Sequence, residues 1–170
     1  MAARQKATGW KVPLLFCGVI GILVALGALL RTPPPAPPAL PEALVASARA
    51  LVIDLDTPGG RPWKERIVEA ASGFVPPEVK AERLGGVAAE AVAERHFDVA
   101  CAAAVQVPVD ARRNAAFSDI FEAAARECAS LPWAVFAVHG VRDPQLARAL
   151  AGRLERRWQA CQPGRAPATP

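Results

Sequence analysis

The residues best placed to do chemistry form one run, Asp54-Leu55-Asp56-Thr57-Pro58-Gly59-Gly60, directly after the apolar stretch Leu51-Val52-Ile53. Two carboxylates at the end of a strand can divide nucleophilic attack and proton transfer between them. A Pro-Gly-Gly turn can leave backbone N–H groups open to a developing oxyanion. The 2 histidines, His96 and His139, are far apart in the chain. Neither has a Cys or His at the spacing of about two to five residues that a zinc-ligand pair uses. The sequence also lacks a glycine-rich phosphate loop and any Ser-His-Asp spacing that would recommend a triad.

Asp54-Leu55-Asp56-Thr57 is similar to the first motif of haloacid-dehalogenase-type phosphatases, a resemblance that implies Asp54 as nucleophile and Asp56 as general acid. Asp56-Thr57-Pro58-Gly59-Gly60, with Glu65-Arg66-Ile67-Val68 after it, resembles the oxyanion-loop segment of Clp-like membrane serine proteases. Both chemistries need more than this run. The phosphatase needs a later acidic pair for magnesium on a parallel sheet, and no paired acids follow a second strand-like run. The protease needs a serine in a small-residue segment, and Ser72, Ser118 and Ser130 lack that setting. An α/β enzyme requires several strands, whereas only this stretch has strand-like composition. The expectation is a helix or strand over 46–60 ending in a Pro-Gly turn, with Asp54 and Asp56 solvated or capping. No catalytic, cofactor-binding or metal-ligating residue is assigned.

The elements around this run divide the 170 residues sharply. Val12 to Leu30 is uncharged and almost wholly apolar, and as a helix it would rise about 28 Å, the depth of a bilayer core. Arg4, Lys6 and Lys11 precede it, which places residues 1–11 in the cytoplasm by the positive-inside rule. Trp10 and Lys11 are the expected interface anchor. A cleaved signal peptide is the competing reading. Residues 31–41 are a Pro-rich stalk in extended polyproline form, and 163–170 read as a disordered tail. Residues 42–162 then carry 15 lysines and arginines against 16 aspartates and glutamates. Without a basic surplus that domain is not expected to track a nucleic-acid backbone.

Inside 42–162 a period of 33 residues recurs: Leu84, Phe117 and Leu150; Ala88, Phe121 and Leu154; Cys128 and Cys161. Breaks at Val75-Pro76-Pro77-Glu78, Val107-Pro108-Val109-Asp110 and Val141-Arg142-Asp143-Pro144 mark helix starts, with Asp110 and Asp143 expected as caps and Pro77 and Pro144 in the first turn. The apolar spacing predicts antiparallel helices at 44–55, 62–73, 77–94, 96–106, 110–129, 131–140 and 144–161. The fold class is thus all-α, with one N-terminal transmembrane helix ahead of a small domain of helical hairpins. Over Arg61 to Cys161 it resembles the αα-hairpin repeat class of tetratricopeptide and HEAT-type solenoids, which implies a stacked array binding peptides or proteins along a surface. A compact helical bundle is the alternative.

Two side-chain sets remain. Cys128 and Cys161 fall at equivalent positions of consecutive long helices, so an oxidising compartment would allow a disulfide between them. Arg148, Arg153, Arg156 and Arg157 make the last helix basic, which reads as a contact surface for an acidic partner or anionic lipid headgroups, or as a solvated outer face. The functional expectation is a non-enzymatic interaction or scaffold module, anchored by a single pass in a bacterial inner membrane with its main domain in the periplasm. Its partner would be another envelope protein or a peptide, and no cofactor is implied. The alternative is a hydrolase centred on Asp54, Asp56 and the Gly59-Gly60 loop.

Overall fold

The computed structural model describes residues 40–162. The expected membrane segment at 12–30, most of the stalk, the pair Trp10 and Lys11, and the tail at 163–170 lie outside the described residues. Among the described residues no helix is long and apolar enough to cross a membrane.

The described residues are all-α. Their helices are α1 (Glu42–Arg49), α2 (Arg61–Ala71), α3 (Pro77–Ala93), α4 (Phe97–Val105), α5 (Asp110–Ala124), α6 (Leu131–Gly140) and α7 (Pro144–Cys161), with a single 3-10 turn at Cys128–Ser130. Prolines open four of them, in the first turns of α2, α3, α6 and α7, where the missing N–H costs no hydrogen bond. Asp143 caps α7: its carboxylate accepts from the backbone N–H of Gln145 at 2.8 Å and of Leu146 at 3.2 Å. Asp110 does not cap α5. Val109 holds the cap position with extended backbone, so Asp110 is already inside the first turn and pairs with Arg142 instead, at 2.6 Å.

Two helices end more than a turn earlier than their spacing predicts. The first stops at Arg49, not 55, because the β-branched Val52 and Ile53 and the following turn leave the helix. Leu55 then packs against the core, where Gly60 must pass it: a Cβ on Gly60 would lie 2.9 Å from the Leu55 Cα. The helix opened by Asp110 ends at Ala124 rather than 129, and the chain turns through Cys128–Ser130 before Pro132 starts α6. The end of α3 is a Schellman turn. Arg95 sits there at φ 66, His96 N–H donates to Ala91 O at 2.8 Å, and Arg95 N–H donates to Val92 O at 3.0 Å.

Helices α3 and α4 form one hairpin and α5 and α6 another; α2 packs on α3, α3 also on α5, and α6 on α7. The positions that recur every 33 residues are the core of this stack: Leu84, Phe117 and Leu150 are buried, as are Ala88, Phe121 and Leu154. Burying each such Leu or Phe contributes about 1.5–3 kcal/mol. The α5–α6 contact is closest at Gly140, where an added Cβ would fall 2.3 Å from the Phe117 Cζ. Chain order fails in one place. α1 packs on α6, across the stack, through the buried Leu44 and the partly buried Leu40 and Ala48. Residues 50–60 then carry the chain back to α2.

Candidate ligand pocket

The Asp54-to-Gly60 run lies on the surface as a turn leading into α2. Asp54 and Asp56 are exposed; the Asp54 carboxylate accepts from the Asp56 N–H at 2.9 Å, and Asp56 pairs with Lys64. The Gly60 N–H donates to Thr57, both to its carbonyl and to its hydroxyl oxygen, so that amide is already taken. These contacts are local. His96 packs against Trp63 with ring centroids 5.8 Å apart and planes tilted by 58°, whereas His139 is on α6. Among the described residues, no three His, Cys, Asp or Glu side chains gather as a metal site would require.

The structure joins Cys128 to Cys161, with Cα atoms 5.6 Å apart. The partner of the α7 cysteine is thus in the turn after α5, not in α5 itself. Cys101 is a free, buried thiol on α4, and burial, with a smaller push from Asp98, raises its pKa to about 12. The arginines of α7 are divided in their tasks. Arg153 pairs with Glu122 and lies over the Phe121 ring, its guanidinium 5.4 Å from the centroid. Its pKa is raised by the Glu122 hydrogen bond foremost, against a lowering from desolvation. Arg157 donates to the carbonyls of Ala125 at 2.9 Å and Arg126 at 2.6 Å, which are left open where α5 ends. Arg148 bonds only to Pro144 O in its own helix, and Arg156 is exposed. Arg153 and Arg157 are therefore clips between α7 and the end of α5 rather than free surface charge.

A pocket that no sequence motif marked opens where α1 crosses α6. Its volume is about 560 Å³. One wall is Val45, Ala48 and Leu51; the other is Val105, Val135 and Phe136. The polar side chains on its lining are all basic: Arg49, Arg113 and His139. Arg113 is held by two helix ends, its Nε donating to Gly140 O at 3.1 Å and its Nη1 to Val105 O at 2.7 Å, while it lies 5.5 Å from the Phe117 ring centroid. The neighbouring Asn114 and Asp110 fasten the same corner by accepting from the Arg142 N–H and guanidinium. Arg113 has no carboxylate ion-pair partner among the described residues. Desolvation foremost, then the Arg142 charge, lowers its pKa from the ordinary arginine value, with Asp110 opposing. Sequence reading missed Arg49 and Arg113 because α1, α4, α5 and α6 contribute the lining separately. The available signal was an arginine four residues before a buried Phe in α5, on the side of the helix that meets a neighbour.

No protein-family model, curated protein or solved structure matches this chain.

Proposed function

We propose that this protein is a membrane-tethered, non-enzymatic interaction module of a bacterial envelope, with a repeat-like helical domain outside the cytoplasm. α1 carries this reading. It is a short helix packed on α6, with Leu44 buried, Ala48 one turn on partly buried, and Leu40 packed against the core just ahead of the helix. No side-chain hydrogen bond or ion pair joins it to the helices beneath, among the described residues. That is helix-in-groove recognition practised on the chain's own segment, the mode by which helical domains hold partner segments. The disulfide between Cys128 and Cys161 supports an oxidising compartment, and the apolar run at 12–30 supports a single pass.

The test is photo-crosslinking in native membranes from probes placed one at a time on exposed positions of the domain. Phe74, wholly exposed at 112% between Val68 and Val79, is the first position to probe. Crosslinks to one protein confined to one face, and lost when that face is substituted, support the reading. Crosslinks scattered over all faces, or none, would refute it. Protease protection of the domain in spheroplasts would overturn its placement outside the cytoplasm.

A further inference from the structure

The pocket under α1 combines three properties. Its walls are aliphatic or aromatic, its charged and titratable side chains are all basic, and it has no acid, amide or hydroxyl side chain on its lining. A peptide laid there would bring N–H groups that need acceptors, and two of the lining carbonyls, those of Gly140 and Val105, already receive Arg113. A hydrocarbon chain asks for none. A small anion answers the bases: Arg113 has spent its Nε and Nη1 on helix carbonyls, which leaves the other side of its fork without a protein acceptor, and Arg49 has no ion pair among the described residues. The volume, about 560 Å³, falls within the range of small-ligand sites, about 300–1,000 Å³.

We infer that this pocket binds a single-chain carboxylate amphiphile, a free fatty acid, with its tail between α1 and α6 and its carboxylate on Arg113 and Arg49. A planar carboxylate fits one guanidinium edge with two parallel hydrogen bonds. Because α1 supplies one wall, the bound acid also fastens α1 to α6. The pocket lining does not include Phe74, the first position to be probed for a protein partner.

The experiment uses the full chain in nanodiscs and two diazirine photoprobes of equal chain length, one a decanoic acid and the other the matching alcohol. Mass spectrometry maps the labelled residues. The acid is expected to label residues 45–51 and 135–140 and the alcohol far less. Arg49→Gln, at an exposed site with no hydrogen bond or ion pair of its side chain among the described residues, should reduce acid labelling about ten- to a hundredfold, as expected for losing one charge-assisted hydrogen bond, while Arg49→Lys retains most of it. Hydrogen exchange in 42–49 should slow when decanoate is added. Ala48→Trp, which fills the pocket, should abolish labelling. Equal labelling by the alcohol, stronger labelling by an alkyl phosphate, labelling elsewhere, competition by an apolar peptide but not by decanoate, or indifference to Arg49→Gln would each overturn the assignment. The partner crosslinks of the previous section should be insensitive to Arg49→Gln, so the two readings fail separately.

Discussion

Removing the bond between Cys128 and Cys161 perturbs the part of the domain least able to hold itself. α7 is the last described helix, and its fully buried side chains, Leu150, Ala151 and Leu154, all lie in its middle. Beyond them only Trp158 and Cys161 pack partly against the core. The bridge spans a sequence separation of 33. The loop-entropy relation gives about 3.7 kcal/mol for a loop of that size. For the roughly 120 residues that unfold together, with an unfolding entropy of about 2.1 cal/mol/K per residue, this corresponds to a melting temperature lower by about 15 °C. That figure is an upper value, because the Arg153–Glu122 pair and the Arg157 bonds to Ala125 and Arg126 still tie α7 to α5. Circular-dichroism melts of the full chain with and without reductant, and of Cys161→Ser, measure it. Reduction and Cys161→Ser should agree, and exchange should rise first in residues 155–161. Alkylation of the denatured chain without reductant should label Cys101 but neither Cys128 nor Cys161. A melting shift under about 3 °C, or labelled Cys128 and Cys161, would refute the reasoning.

Three further outcomes follow from other contacts. Gly140→Ala drives a methyl into the Phe117 ring and should cost about 1–3 kcal/mol or more in denaturant titration, whereas Gly85→Ala, whose Cβ meets nothing within 4 Å, should not destabilise. Asp143→Ala should cost about 1 kcal/mol as a lost cap, and Asp110→Ala clearly less, since it removes only an exposed ion pair; equal losses would contradict the assigned caps. The Arg66 hydrogen bond lowers the Glu90 pKa, so its contribution is present above the ordinary carboxylate range and disappears as pH falls through the folded-state value. Glu90→Gln should therefore flatten the acid limb of the stability curve and leave the alkaline limb unchanged.

The core was legible because stacked hairpins repeat one packing problem. Leu84, Phe117 and Leu150 recur at one interval for the same reason that all three are buried. Helix starts were legible where a proline or a capping aspartate stands, at Pro77 and at Asp143-Pro144. Helix ends were harder. Ala125, Arg126 and Glu127 suit a helix, yet the chain leaves it to reach the bridge and the Arg95–Glu127 pair. The seat of α1 on α6 is a choice among apolar partners far apart in sequence, and local spacing holds no information about it. The pocket inherits that difficulty. The arginines of α7 looked like a patch because a sequence shows charge but not reach: Arg157 is long enough to answer carbonyls one helix away.

The crossing of α1 onto α6 has a mechanical consequence. A load on the chain ahead of Leu40 enters the domain at α6, through one helix held by apolar anchors, and not at the first hairpin. Under tension the apolar seat of α1 on α6 yields before the hairpins, which are packed together over more of their length. Residues 42–60 then release about 65 Å of contour at roughly 3.4 Å per residue. The hairpins beneath stay folded while the chain ahead of them lengthens.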